Sequence, residues 1–243
     1  MEWYARWFGE EYLLVYDHRD TEEAEREVRT IEKILAVEGN ERILDLCCGS
    51  GRHDIPLARL GCRVTGLDYS GPLLKIARSE RPPGERFPLF VRADVRKLPF
   101  RDEVFDIALN LFTSFGYFED EENYEFLRSM SRVLKTGGRF YIDYLNPPRV
   151  LDTLVEESTK EKNSMLIIEK RKYNSTTSRI EKTIIFHDEG HAREFNESVR
   201  LYEKAEFLEM LSNAGLSVDG VMGSFDGEPY GDSSERMILY GKK

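Results

Sequence analysis

The chain has 243 residues with 45 acidic and 35 basic side chains, a formal net charge of -10. That length suits one domain with an insertion and is enough to bury a good core, and an apolar share of 40% excludes a disordered chain. The acidity disfavours a nucleic-acid partner, because such affinity rests on Lys and Arg neutralising phosphates.

No apolar run approaches ~18 residues, so no membrane-spanning helix is expected. The start, Met1-Glu2-Trp3-Tyr4-Ala5-Arg6, lacks a basic region followed by an apolar stretch and makes a poor signal peptide. A cytoplasmic location without a membrane partner is the expectation. Cys47 and Cys48 are adjacent and the cysteine count is odd, a poor basis for disulfides. No second cysteine pair or nearby His completes a zinc site, so no metal is expected.

Met1 to Asp20 is rich in aromatics: Trp3, Tyr4, Trp7, Phe8, Tyr12 and Tyr16. Thr21 can cap a helix whose first turn is acidic. Val28, Ile31, Ile34 and Leu35 recur at helical spacing as far as Val37, and Gly39-Asn40 stops the helix. Strand and helix then alternate. Strands are expected at Arg42–Cys47, Cys62–Leu67, Leu89–Val91, Phe105–Leu109 and Arg139–Leu145. Helices are expected at Asp54–Leu60, Pro72–Ser79 and Asp120–Leu134. Short apolar strands between helices imply a parallel sheet covered on both faces. The pattern changes over residues 163 to 202. Met165–Ile168, Ile180–Phe186 and Arg193–Tyr202 read as strands joined by turn chemistry at 174–178 and 188–190. A helix at Lys204–Ala214 and strands at Leu216–Val221 and Arg236–Tyr240 complete the chain.

In a parallel α/β sheet the ligand sits beyond the carboxyl ends of the strands, where strand order switches. After the first strand comes Asp45-Leu46-Cys47-Cys48-Gly49-Ser50-Gly51. Its glycines let the backbone turn sharply near a ligand, and the next helix presents its positive end. Asp68, about 20 residues beyond Gly49, has the spacing of a carboxylate that accepts from ribose hydroxyls. An NAD site uses the same devices, and three details discriminate. The third glycine of a dinucleotide fingerprint is absent, Asp45 lies within the first strand, and Ala93-Asp94-Val95 supplies a further acid after the third strand. Plain structural alternatives stand beside these readings: turn glycines, Asp68 as a helix cap, Asp94 as a loop residue, Cys47 and Cys48 as small packing side chains.

ILDLCCGSG (43–51), VTGLDYS (64–70), RADVRKLPF (92–100), FDIALNLFTSFGYF (105–118) and LKTGGRFYIDY (134–144) occur in order. Together they resemble the motifs of class I S-adenosylmethionine-dependent methyltransferases. The likeness is greatest to small-molecule N- and O-methyltransferases that carry a β insertion after the fifth strand. The resemblance implies a Rossmann-like, seven-stranded, mostly parallel sheet whose last strand is antiparallel. It divides the chain into a helical lid (1–38), a cofactor domain (39–145 and 203–243) and a β-rich insertion over the acceptor site (146–202). It implies S-adenosylmethionine as cofactor, with Asp45, Gly49 and Gly51 near its methionine part, Asp68 on the ribose, and Ala93, Asp94 and Val95 around adenine. Cys47, Ser50, Tyr69, Leu111 and Phe112 complete the expected set.

On the acceptor side the loop 111–118 resembles that of small-molecule N-methyltransferases, some acting on amino sugars. Some of those carry His where this chain has Tyr117, and a phenol is a weaker base at neutral pH. Tyr117 is a candidate for orienting the acceptor, with a half-buried packing aromatic as its alternative. In the resembling enzymes an N-terminal lid brings a Tyr near the methyl group and a basic residue near the cofactor carboxylate; Tyr12 and Tyr16 are candidates for the first, Arg26 and Arg29 for the second, with a surface helix carrying a packed aromatic stripe as the alternative. Arg200 and Tyr202 either face the pocket or cap the insertion. An exposed strand edge of the insertion invites a homodimer. Asn146-Pro147-Pro148-Arg149 resembles the Asn-Pro-Pro-aromatic motif of DNA and RNA amino-methylases, but it follows the wrong strand, lacks the aromatic and reads as a turn. His187 and His191 flank a turn rather than share a helix face. The expected activity is methyl transfer to nitrogen or oxygen of a small molecule. An RNA or protein methyltransferase and a non-catalytic S-adenosylmethionine-binding protein are the alternatives.

Overall fold

The computed structural model describes residues 3–16, 21–163, 165–188 and 191–243. Two short helices, α1 (Tyr4–Trp7) and α2 (Glu10–Val15), precede α3 (Thr21–Ile34). The alternating region follows as β1 (Arg42–Leu46), α4 (Asp54–Arg59), β2 (Arg63–Asp68), α5 (Gly71–Glu80), β3 (Leu89–Arg92), β4 (Phe105–Asn110), α6 (Asp120–Val133) and β5 (Leu134–Leu145). A 3-10 turn at Val95–Lys97 follows β3. Then come α7 (Pro147–Asp152), β6 (Glu157–Lys162), β7 (Met165–Asn174), β8 (Arg179–Asp188) and β9 (His191–Arg200). The chain closes with α8 (Lys204–Asn213), β10 (Ser217–Met222) and β11 (Arg236–Lys242). No described helix is long and apolar enough to cross a membrane.

The main sheet has seven strands in the order β10-β11-β5-β4-β1-β2-β3. β1 pairs in parallel with both β2 and β4, and β11 runs antiparallel to its two neighbours, as the sequence implies. Neighbouring residues of one strand feed opposite faces. Leu44, Ala108, Phe140 and Ile142 pack with α6 and α8 residues such as Phe126, Leu127 and Phe207. Ile43, Ile107 and Tyr141 pack on the other side with Val28, Ile31 and Leu35 of the α3 region. That two-sided burial explains the continuous apolar runs, and each fully buried Leu, Ile or Phe contributes roughly 1.5–3 kcal/mol.

β6, β7, β8 and β9 form a second, antiparallel sheet in chain order. Its apolar residues Ile167, Ile184 and Phe186 pack against Trp7 and Val15 of the N-terminal helices.

Several boundaries differ from the sequence reading. α3 ends at Ile34, short of Val37, because Ala36 and Gly39 both take positive φ. The side chain of Thr21, the expected cap, and the turn residues Glu189 and Gly190 lie outside the described residues. β5 begins at Leu134 and contains Gly137-Gly138, with an irregular register against β4. β6 was not anticipated, since Glu-Ser-Thr-Lys-Glu-Lys offers no apolar alternation. The 146–149 stretch opens α7 rather than a plain turn. Pro147 sits where a missing N–H costs nothing, and the buried Asn146 Nδ2 donates to the carbonyls of Gly231, Asp232 and Ser234 at 3.0, 3.1 and 2.7 Å.

Candidate active site

The carboxyl ends of β1, β2 and β4 open onto one cavity, and the N-terminal helices close its other side. Its floor starts at Asp45, a buried side chain whose Oδ1 has no hydrogen-bond partner among the described residues. The backbone then turns through Cys47, Gly49 and Gly51, at φ 64, 57 and 76°. At Gly51 a Cβ would lie 2.9 Å from the Phe90 ring, so only glycine allows both the turn and the helix packing. Asp68 holds this turn to the next one. Its carboxylate accepts from Gly49 N–H at 2.8 Å and from Ser70 N–H at 2.7 Å. Ser70 Oγ caps α5 by accepting from Leu73 N–H at 3.1 Å, and it donates to the Phe8 carbonyl at 2.5 Å, joining the floor to the N-terminal segment.

The floor is acidic: Asp45 and Asp68, both buried, line the cavity, and the fully buried Asp54 stands beside them outside its lining. Burial pushes the Asp45 carboxyl well up, and the Asp54 and Asp68 charges add to that push while Arg52 opposes it. Burial raises Asp54 to about 8. Burial also raises Asp68, against the opposing pull of its three backbone N–H bonds. Carboxylates crowded this way in a low dielectric favour a cationic ligand. The Cys47 thiol, pushed up by burial and then by Asp68, stays protonated, which suits a packing residue.

Arg52 and His53 follow the glycine turn and line the cavity. Arg52 pairs with Glu23 at 3.0 Å and Glu27 at 3.1 Å on α3, and its guanidinium lies 5.6 Å from the Phe112 ring centre. His53 also bonds Glu27, and burial lowers its pKa and so favours the neutral ring. Arg26 and Arg29, the residues expected at this end, are exposed on α3 and do not line the cavity.

Asp94 lines the far end, with Val95. Its Oδ1 caps the 3-10 turn through Arg96 N–H at 2.9 Å, and its two oxygens take the Arg96 guanidinium at 3.0 and 2.7 Å. A carboxylate has further lone pairs, so an added donor remains compatible with this pairing. Ser50, Tyr69, Leu111 and Phe112 also line the cavity. Of the expected cofactor residues, only Gly51 and Ala93 stand outside the lining. Ala93 N–H donates to the Asp68 carbonyl at 3.1 Å.

Beyond β4 the chain passes through Phe112 and Thr113, both at positive φ. Such backbone costs on the order of 1–3 kcal/mol per residue. The buried Asp143 of β5 holds it, accepting from Phe112 N–H at 2.9 Å on its carboxylate and from Thr113 N–H at 3.1 Å on its carbonyl. Arg236 of β11 completes the clamp, donating to Asp143 at 2.6 and 2.7 Å and to Thr113 Oγ1 at 2.7 Å. No local sequence pattern announces this pair.

The rest of the wall is aromatic. Phe8 stacks on Tyr117 at 5.6 Å, Tyr12 lies 5.1 Å from Phe8 and 4.7 Å from Tyr16, and Tyr16 lies 5.8 Å from Phe112. Burial, followed by neighbouring charges, raises the phenols of Tyr16 and Tyr117 well above their ordinary value. Neither is a phenolate base at neutral pH. The loop bearing Tyr117 is pinned by the buried Arg179 of β8, which donates to the carbonyls of Gly116, Tyr117 and Phe118 at 3.1, 3.1 and 2.9 Å.

Arg200 and Tyr202 do not reach the cavity. Arg200 pairs with Glu206 at 2.7 Å and its N–H donates to the Gly116 carbonyl at 2.8 Å, while the Tyr202 hydroxyl donates to Asp120 at 2.7 Å. Both tie the second sheet to the main domain. His187 and His191 are exposed on β8 and β9.

The methyltransferase domain model matches residues 43–138. The cypemycin N-terminal methyltransferase of a Streptomyces species is 32% identical over 206 residues, 81% of each chain. The solved structure of the CcbJ methyltransferase from Streptomyces caelestis superposes with a TM-score of 0.82 at 22% identity, covering 98% of both chains. The sugar N-methyltransferase KedS8 from a Streptoalloteichus species gives 0.67 at 24% identity, covering 97% of this chain and 93% of its own. At those identities the two structures establish the fold, and the cypemycin relative, alike over most of its length, establishes the family: this chain is a class I S-adenosylmethionine-dependent methyltransferase.

Proposed function

We propose that this chain transfers the methyl group of S-adenosylmethionine to nitrogen or oxygen of a small molecule, and that an amine is the acceptor its cavity suits best. The observation that carries this reading is the division of one cavity into a carboxylate floor and an aromatic wall. S-adenosylmethionine supplies a methyl group that its sulfonium makes electrophilic. Asp45, whose Oδ1 has no hydrogen-bond partner among the described residues, and Asp68 suit the cationic ammonium and sulfonium. Asp68 would accept from the ribose hydroxyls while keeping the Gly49 turn in place. Ala93, Asp94 and Val95 would frame the adenine, and Arg52 would face the carboxylate. Cys47, Ser50, Tyr69, Leu111 and Phe112 would line the remainder.

On the acceptor side, Phe8, Tyr12, Tyr16 and Tyr117 exclude water and offer ring faces that favour a cation by about 0.5–2 kcal/mol. Holding the acceptor in line with the methyl group supplies much of the acceleration, and Tyr117 is the residue assigned to that orientation. In this reading residues 1–38 form the lid, 39–145 and 203–243 the donor domain, and 146–202 the insertion over the acceptor. The cypemycin relative is named an N-terminal methyltransferase and KedS8 a sugar N-methyltransferase, names that favour an amine.

The test is calorimetric titration with S-adenosylmethionine, with NAD as control. A screen of amino sugars, small amines and peptides with free amino termini for S-adenosylhomocysteine production follows. Binding of the donor but not NAD, with turnover on amines above alcohols, is expected. A folded protein that binds no donor overturns the reading.

A further inference from the structure

The face of the second sheet that meets α1 and α2 carries a charged cluster among its apolar residues, and none of the roles above uses it. Glu197 of β9 accepts from the Trp7 indole N–H, and from the Tyr16 hydroxyl at 3.2 and 3.3 Å. Lys182 stands opposite Glu197 in the β8/β9 register. It donates to the Tyr16 hydroxyl at 3.1 Å, pairs with Glu169 of β7 at 2.6 Å and lies 3.7 Å from Glu197. Arg171 pairs with Glu169 at 2.6 Å, and Lys160 of β6 donates to the Val15 carbonyl nearby at 2.7 Å. The side chains of Lys182 and Glu197 are only 10 and 13% exposed. Burying such groups costs desolvation that their pairing rarely exceeds, so stability gives little reason for the cluster. One member reaches the cavity: Tyr16 lines its aromatic half.

We infer that Glu197, working through the Tyr16 hydroxyl, stabilises positive charge on the acceptor nitrogen and receives the proton that methylation releases. This rests on the amine-methylation reading. The acceptor nitrogen bonds the methyl carbon as the carbon–sulfur bond breaks towards sulfur, which leaves a protonated amine. Its N–H proton passes to Tyr16 Oη while the Tyr16 proton passes to Glu197, which ends neutral. Lys182, donating to Tyr16 Oη, turns the Tyr16 proton towards Glu197. The groups facing Glu197 are thus Trp7, Tyr16 and Lys182, with Glu169, Arg171 and Lys160 behind Lys182 and with Tyr12 and Tyr117 beside Tyr16. Glu197 is a positioning residue, acting through a side chain that touches the acceptor.

The experiment compares two donor analogues by calorimetry. S-adenosylhomocysteine lacks the methyl group, and sinefungin carries an amine in its place. The ratio of their affinities reads the stabilisation of a cationic nitrogen at the transfer position. Wild type is expected to prefer sinefungin about tenfold or more, and Glu197→Gln to erase roughly a factor of ten of that preference, the size of one charge-assisted hydrogen bond. Tyr16→Phe, which severs the link while leaving Glu197 and Lys182 paired, is the measure should Glu197→Gln fail to fold. A preference that survives in the folded variant overturns the role of Glu197 and leaves the donor site intact. A wild type that binds neither analogue overturns the underlying reading as well.

Discussion

The two halves of the cavity are built from different kinds of contact. The carboxylate floor is local: 45–51, 68–70 and 94–96 each turn within a few residues of a strand end, and parallel pairing of β1, β2 and β3 sets the turns side by side. The aromatic half depends on partners far apart in the chain. Tyr16 meets Glu197 across 181 residues, Arg179 meets the Tyr117 carbonyl across 62, and Arg236 meets Asp143 across 93. A floor of this kind can persist while the wall above it is rebuilt, because apart from the Ser70–Phe8 contact the floor's hydrogen bonds close on its own loops. In the proposed reading the wall is then where one fold acquires different acceptors.

The strongest way to break this comparison is to remove the wall. Deleting residues 1–20 takes Tyr4, Phe8, Tyr12 and Tyr16 from the cavity and the Phe8 carbonyl from Ser70. Calorimetry should find S-adenosylmethionine binding abolished while circular dichroism still reports a folded chain. Unchanged affinity would mean that the floor binds alone and that the N-terminal segment is no lid. Next in size is Asp143→Ala, which strands the buried Arg236 guanidinium and releases Phe112 and Thr113. A loss of about 3–5 kcal/mol is expected in urea unfolding, the cost of leaving one member of a buried pair uncompensated. A loss below about 1 kcal/mol would show that the loop holds its positive φ without the clamp.

The same division governs what could be read from residues alone. β1, α4 and β2 announce themselves because an apolar run, a glycine turn and a spaced Asp are local and their geometry is dictated locally. Tyr12 and Tyr16 sit four apart at helical spacing, so their shared side was legible. Their partner Glu197 was not, since nothing in Glu-Phe-Asn-Glu-Ser singles out one acid. Arg26 and Arg29 are the residues that the resemblance would bring near the cofactor carboxylate, yet they occupy the solvent side of α3, and Glu23 and Glu27 turn towards Arg52. β6 escaped notice because an edge strand half covered by polar neighbours needs no apolar alternation.

Acid-floor energetics can be sharpened by pH. Asp54 has an ordinary value of 3.8 when unfolded and is raised to about 8 in the fold. Between these values the folded chain holds a proton that the unfolded chain has lost. Stability therefore falls as pH rises from about 4 to about 8, by up to about 1.4 kcal/mol per unit from this group. Asp54→Asn removes that slope. Urea unfolding at pH 5 and pH 8 should show the variant losing less stability than wild type between the two, with the larger gain at pH 8. Equal losses would mean that the Asp54 charge is relieved by a neighbour and that the floor is less strained than its burial implies.

The smallest effect tests the wall residue closest to the sequence reading. Tyr117→Phe keeps the ring that stacks on Phe8 and the carbonyl that Arg179 holds, and removes only a hydroxyl. One neutral hydrogen bond is worth about 0.5–1.5 kcal/mol, so turnover should fall roughly twofold to tenfold if that hydroxyl orients the acceptor. Donor affinity should stay put, because the floor does not rely on it. A drop confined to kcat would assign the hydroxyl to the transition state, and a rise confined to KM would assign it to acceptor binding. If neither constant moves, Tyr117 is a packing aromatic. Orientation of the acceptor would then fall to the ring faces and to Tyr16, the phenol already tied to Glu197.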